Sequence, residues 1–211
     1  MLNLQIIIGS TRSGRNADPV CHWFEPITRS HGAFAVETVD LREWPLPHFQ
    51  ETIETVGDFA NPTYSDPLVK RWDDKIKEAD AYIIVTPEYN HSVPAVLKNA
   101  IDTVFFSYGF RHKPVAFVAY SLGVSAGVRA VEHLNQIMLE AEANPIRTQT
   151  LIPFVASAFG ADGRPVTPAL NVGLTVMLDD LAWMGSALKV ARAAGAPPPA
   201  ALRIRAANAK R

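Results

Sequence analysis

The chain holds a single cysteine, Cys21, in 211 residues, which excludes an internal disulfide and gives no sign of an oxidising compartment. Long apolar runs are missing too. None approaches the roughly 18 to 20 residues of a membrane span, and the start, "MLNLQIIIGS", has no basic n-region. A cytoplasmic location, with no membrane partner, is the default expectation. Charge of one sign is equally scarce: Lys plus Arg totals 20 against 21 for Asp plus Glu, a formal net charge of -1. No nucleic-acid partner is expected on that balance, and any charge-driven function must be local. His22, His31, His48, His91, His112 and His133 are scattered without H-x-x-x-H or Cys/His spacing, so no metal centre is expected. A hydrolase using Ser10 or Ser121 is disfavoured because neither serine lies in a G-x-S-x-G elbow.

With 48% hydrophobic and 19% charged residues, the chain has ample apolar material for one globular core. Leu2 to Ile8, "FAVETVD", "AYIIVT", "PVAFVAY" and "RTQTLIP" read as strands. Helical apolar spacing separates them, in Val20–Ile27 (where Pro26 should kink or shorten the helix), "DPLVKRWDDKIKEAD", from about Val93 to Val104, and Ala126–Met138. A last helix is expected from about Pro168 to Ala191. Asp66 and Pro67 look like a cap and a first helical residue. Strands apolar on both faces, alternating with helices, predict a doubly wound α/β/α sandwich around a parallel sheet of about five strands. We expect this domain over residues 1–195. Residues 196–211 read as a solvated or frayed basic Ala/Pro-rich tail in which Arg203, Arg205, Lys210 and Arg211 are too dispersed to form a patch. The proline-punctuated connection from Leu41 to Asn61 is long for an ordered loop, which suggests an interface or a functional segment.

In such a sheet a ligand sits beyond the carboxyl ends of the strands where the strand order reverses. Three loops follow the relevant strands. "GSTRSGRN" offers Ser10, Arg12, Arg15 and Asn16 together with the free amides of a helix start, a set suited to a terminal phosphate. It matches neither G-x-G-x-x-G nor a P-loop. A plain polar turn accounts for it equally well, and Asp18 would repel a phosphate unless turned away. "TPEYNHSVPAVLKNAID" places Pro87, Glu88, Tyr89 and Asn90 at a strand end, where Tyr89 presents a flat aromatic surface. Glu88 alone would more often be a solvated loop charge. "SLGVSAG" supplies Ser121 and Gly123 in a turn permissive of close ligand approach, although small residues are common at such turns. Cys21, on an apolar helix stripe, reads as a small buried residue.

These motifs resemble the NADPH-dependent FMN reductases of the flavodoxin-like superfamily. "GSTRSGRN" is similar to that family's G-S-x-R phosphate loop, and "TPEYNHSVPAVLKNAID" is similar nearly residue for residue to its P-E-Y-N signature and following helix. The order of elements matches from Leu4 to about Pro153. The resemblance implies FMN with its phosphate at Ser10, Arg12, Arg15 and Asn16. Its ring would lie along Pro87, Glu88, Tyr89 and Asn90, with Ser121 and Gly123 in the third loop. Val124 stands where the family usually has glycine, and Pro94–Val96 replaces a common Pro-Gly. The implied activity is ping-pong hydride transfer from NADPH or NADH through FMN to a quinone, azo compound, free flavin or oxidised metal ion, with the hard chemistry borne by the cofactor and no catalytic side chain required. A homodimer or tetramer is implied, resting on an exposed apolar patch that includes Trp44, Leu46 or Phe49; the alternative is that these residues fold back onto their own core. A flavodoxin-type electron carrier is the alternative reading.

Overall fold

The computed structural model describes residues 1–59 and 61–209. β1 (Leu2–Ile8), β2 (Phe34–Asp40), β3 (Ala81–Pro87) and β4 (Pro114–Tyr120) are parallel strands. Their order is β2-β1-β3-β4, followed by a fifth position beside β4. This is the flavodoxin-like order, with its reversal between β1 and β3. Every residue of β3 and β4 is buried, as expected of strands covered by helices on both faces.

Alternation along the strands divides the core. Ile6, Ile8, Ile83, Val85 and Val118 pack under α1 (Ala17–Ser30) and α6 (Ala169–Ala193) with Val20, Phe24, Leu174 and Leu178. Ile7, Ile84 and Phe117 face α3 (Pro67–Lys77), α4 (Ala95–Asp102) and α5 (Val128–Glu140), meeting Trp72, Ile76, Leu97, Ile101 and Leu134. α3 starts as its sequence predicts, with Pro67 in its first turn and the Asp66 carboxylate accepting from the Leu68 amide at 2.7 Å.

The fifth position departs from the expected single strand. It consists of β5 (Asn144–Pro145), paired with Pro114 and Val115, and β6 (Thr150–Ile152), paired with Val118 to Tyr120. In the gap, Gln149 replaces backbone with side chain: its Oε1 accepts from the Phe117 amide at 2.7 Å and its Nε2 donates to Ile146 O. Pro145 removes one donor from the ladder, which favours such an interruption at a sheet edge.

Pro26 neither ends nor shortens α1, which runs through it to Ser30. Pro26 and His22 are both exposed, so the carbonyl left without an amide partner lies where water can reach it. Pro26→Ala restores a donor and improves helix propensity. We expect it to raise unfolding free energy by about 1 kcal/mol, after offsetting the greater freedom of the unfolded chain, as read from a urea titration.

The long connection builds a satellite core rather than an open loop. α2 (Ile53–Val56) carries Val56 into a cluster with Tyr64 and Val69, and the buried Glu51 carboxylate accepts from the Thr55 hydroxyl and from the Ser65 amide and hydroxyl. Trp44 and Leu46 fold back onto the core, Trp44 lying 5.0 Å from Trp72 between ring centroids. They therefore do not form the expected exposed patch; of the three, only Phe49 is exposed. The C-terminal segment forms α7 (Ala200–Asn208), a helix unforeseen because its pattern lacks a buried face. Arg111 donates to Pro197 O, and the Ala200 amide donates to Glu142 at 3.2 Å. Lys210 and Arg211 lie outside the described residues.

Candidate active site

Strand register brings the three sequence-predicted loops together: Ile8 is paired with Val85, and Pro87 with Tyr120. Two glycines permit the approach. A Cβ on Gly9 would stand 2.8 Å from Leu97 Cδ2, and one on Gly127, whose φ is +85°, would stand 2.8 Å from both Ala119 Cβ and the Tyr120 amide nitrogen.

In the first loop Ser10 is fully buried, its Oγ 2.7 Å from Tyr89 Oη. This contact joins the first loop to the second. Arg15 is also buried and has a different job from the phosphate fork that its sequence position suggested. Nη1 and Nη2 grip Asp40 at 2.7 and 2.5 Å, Nη1 also donates to Ser10 O at 2.6 Å, and Nε donates to Asp18 at 2.6 Å. These bonds, led by that to Asp40, hold the guanidinium firmly protonated. Burial pushes the Asp40 carboxyl upward, but Arg15 and the Arg42 amide outweigh it and keep Asp40 below the usual carboxylate range. Asp18 is turned into the same network, which answers the repulsion that its sequence position raised.

Arg12 is exposed, its guanidinium carbon 5.6 Å from the Tyr89 ring centroid. Arg42 supports the loop from outside by donating to the carbonyls of Thr11 and Arg12. Asp40 and Arg42 escaped the sequence reading because only the β1–β2 pairing, with Ile8 beside Asp40, brings them here. Among the described residues, the backbone amides of Ser10 to Gly14 donate to no protein acceptor. Unused amides at the entrance to α1 form an anion cradle with the helix's partial positive charge.

The second loop is a tight hairpin. Tyr89 and Ser92 exchange backbone bonds at 2.9 and 3.0 Å, and Asn90 and His91 have φ of +46° and +69°. Positive φ at both central residues is the type I′ pattern, which suits Asn. Glu88 is not a solvated charge: its side chain is 8% exposed, Oε1 meets Arg129 at 3.1 Å, and Oε2 has no partner among the described residues. Arg129 also donates to His91 Nδ1 at 3.1 Å.

The third loop is tied to the segment after β6, with the Phe154 and Val155 amides donating to Gly123 O and Ser121 O at 3.2 and 2.9 Å. Ser121 Oγ donates to Gly123 O at 2.9 Å and lies 3.1 Å from Ser125 Oγ. Among the described residues, neither the Ser10 nor the Ser121 hydroxyl bonds to a histidine. Val124, 80% exposed, stands in solvent, and a Cβ on Gly123 would meet nothing.

A cleft of about 180 Å³ lies among these loops. Arg12, Arg15, Asn16, Pro87, Glu88, Tyr89 and Ser121, all expected cofactor contacts, line it, joined by Tyr120, Leu122 and Val155, which sequence reasoning missed. Of the other expected residues, Ser10 is buried against Tyr89, Asn90 is exposed on the hairpin, and Gly123 flanks Leu122. Past Asn16 and Val155 the cleft adjoins a depression of about 640 Å³ that includes His22 and Phe159. Tyr120 Oη is buried without a well-formed hydrogen bond among the described residues, and burial, opposed only in part by the neighbouring Ser10 hydroxyl, pushes this phenol upward and keeps it a neutral donor. A phosphate would meet the free amides and Arg12, while a flat polar ring would meet Tyr89, Tyr120 and the unpartnered Glu88 oxygen; the residues fit FMN. Cys21 is buried, and burial pushes its thiol upward, so it is unreactive. No cluster of metal-ligating side chains occurs among the described residues, and no helix there is long and apolar enough to cross a membrane.

Comparison with known proteins agrees with this geometry. The family model for NADPH-dependent FMN reductase matches residues 2–156. An NAD(P)H-dependent FMN reductase of Nectria is 28% identical over 188 residues, covering 87% of this chain and 88% of the relative. One from Pseudomonas aeruginosa is 32% identical over 161 residues, covering 75% and 81%. One from Schizosaccharomyces pombe is 34% identical over 115 residues, and the match spans only 56% of its length and 54% of this chain. Among solved structures, the flavoenzyme NAD(P)H:(acceptor) oxidoreductase FerB from Paracoccus denitrificans shares the fold with a TM-score of 0.69 at 23% identity, over 88% of this chain and 98% of its own. The chain belongs to the NADPH-dependent FMN reductases, an oxidoreductase family whose cofactors are FMN and a nicotinamide nucleotide.

Proposed function

We propose that this protein is a flavin-dependent reductase that takes hydride from NADPH or NADH and delivers reducing equivalents to a small acceptor: a quinone, an azo compound, free flavin or an oxidised metal ion. A Pseudomonas putida relative named quinone reductase, 32% identical over 140 residues that cover 65% of this chain and 69% of the relative, supports the first of these classes. The observation that carries the reading is the junction of unused amides at Ser10–Gly14 with the ring-lined cleft at Tyr89 and Tyr120. When bound, FMN supplies the hydride chemistry. The chain's task is to hold and orient it. Arg12 and the loop amides neutralise the phosphate, Arg15 fixes the loop that carries them, and Tyr89, locked to Ser10, sets the plane against which the ring lies. Pro87, Glu88, Asn90, Ser121 and Gly123 complete the contacts around the ring.

The sheet offers one such cleft, so reductant and acceptor occupy it in turn, which gives ping-pong kinetics. The working form is a cytoplasmic homodimer or tetramer, for which exposed Phe49 and Phe105 provide apolar surface. The test is an anaerobic titration of the FMN-loaded protein with NADPH, following visible absorbance. Rapid bleaching is expected. Flavin that binds but stays oxidised supports a carrier instead, and failure to bind flavin refutes the proposal.

A further inference from the structure

A second cavity, of about 460 Å³, occupies the other end of the sheet. Lys113 on its wall immediately precedes β4, and Tyr120 in the flavin cleft ends that strand. The two sites are therefore roughly 20 Å apart, the length of the strand. Lys77 from the end of α3, Arg111 from the run into β4 and Arg192 from the end of α6 supply the cations along this cavity; His112 and Lys113 also line it, but the Lys113 amine turns inward to Ile76 O, Lys77 O and Tyr82 Oη. No Asp or Glu lines it. Each of these cations is paired with a carboxylate outside the lining, Lys77 with Asp73 at 2.6 Å, Arg192 with Asp80 at 2.9 Å, and Arg111 with Glu142.

These pairs leave donors over. Among the described residues Lys77 Nζ has only Asp73 as acceptor, and neither Arg111 Nη1 nor Arg192 Nε has one. The remainder of the lining includes Phe59, Tyr108 and Leu202 on α7. Two wall residues, Tyr108 and His112, hold φ of +55° and +57°. Non-glycine residues in this region are uncommon and concentrate at functional sites. His112 Nε2 is buried without a partner among the described residues. A cavity with apolar walls and a few convergent polar groups is the usual form of a small-molecule site.

We propose that this cavity binds a small organic anion with a planar ring, an aromatic carboxylate or a phosphate monoester. The anionic head meets Lys77 and Arg111, and the ring lies against Phe59, Tyr108 and Leu202. Arg111 and Glu142 also hold the chain at Pro197 and Ala200, so the occupant touches the same groups that dock α7. This site is independent of the flavin reading.

The test uses the full-length, ¹⁵N-labelled protein titrated separately with benzoate, inorganic phosphate and benzyl alcohol. Benzoate is expected to shift the amides of Tyr108, Gly109, His112 and Leu202 saturably, binding about tenfold more tightly than either other probe. Leu202→Ala, which leaves every ion pair intact, weakens benzoate about threefold, and Lys77→Gln weakens it about tenfold. Phosphate binding as tightly as benzoate overturns the role of the ring, and benzyl alcohol doing so overturns the role of the charge. Non-saturating shifts, or shifts confined to the flavin loops, overturn the site itself. The three-probe comparison on the unmodified chain stands even where Lys77→Gln fails to fold.

Discussion

Arg15→Met is expected to lower both folding stability and FMN affinity, whereas Arg12→Ala lowers affinity alone. The Arg15 side chain is 4% exposed, and its removal leaves the carboxylates of Asp40 and Asp18 and the Ser10 carbonyl without their shared donor. Breaking a buried pair from one side costs about 3 to 5 kcal/mol. The partial exposure of Asp40 places the expected loss near the lower bound, about 3 kcal/mol, visible as a lower urea midpoint. The loop amides then lose their fixed arrangement, and FMN binding weakens by about 100-fold or more. Arg12 is exposed and has no carboxylate partner among the described residues. Arg12→Ala therefore leaves stability within about 0.5 kcal/mol while FMN affinity falls about tenfold, an effect that shrinks as salt is raised. Equal stability losses in the two variants would refute the division of labour between the arginines.

The second large effect is a gain in stability with rising pH. Lys113 is 7% exposed, with Nζ donating to Ile76 O, Lys77 O and Tyr82 Oη at 3.2, 3.0 and 3.1 Å. Burial, reinforced by nearby Arg192, pushes its amine down to about 7. Below about pH 7 both folded and unfolded chains carry this proton, and the native state bears the full cost of a buried charge. Between about pH 7 and 10 the unfolded chain keeps a proton that the native chain has released, so unfolding takes up protons and stability climbs. The maximum slope is about 1.4 kcal/mol per pH unit. From about pH 7 to 9 the expected gain is on the order of 2 kcal/mol. Cys21 acts in the opposite sense above about pH 9, because its folded-state thiol is pushed up and the unfolded thiol ionises first. Urea titrations at about pH 7, 8 and 9 check the rise. Lys113→Met abolishes it if Lys113 is the source; a flat profile in the unmodified chain would sink the assignment.

The strand and helix order was legible because β1, β3 and β4 are apolar on both faces and the helices repeat at their own period. Local chemistry was legible too, as Asp66 and Pro67 at α3 show. Features that depend on which elements end up side by side were not. Arg15 reads locally as a phosphate ligand, and only the β1–β2 pairing reveals Asp40 waiting for it. Glu88 reads as a loop charge until α5 brings Arg129 beside it. Trp44 and Leu46 look like exposed apolar side chains until Trp72 and the satellite core are in place. α7 has no buried face from which a helical period could be recognised, and the break between β5 and β6 depends on Gln149 finding the Phe117 amide.

That break also bears on how copies of this protein can meet. An open parallel sheet has two rims, and an uninterrupted rim invites strand addition from another chain. Here one rim is broken between two short fragments and plugged by an amide side chain. At the other, Arg29 donates to the Val36 carbonyl at 2.7 Å and occupies an acceptor that an incoming strand would need. Growth by continuing the sheet is thus hindered at both ends, which favours association through helix faces and loops, where contacts can close into a finite particle instead of running on as a fibre.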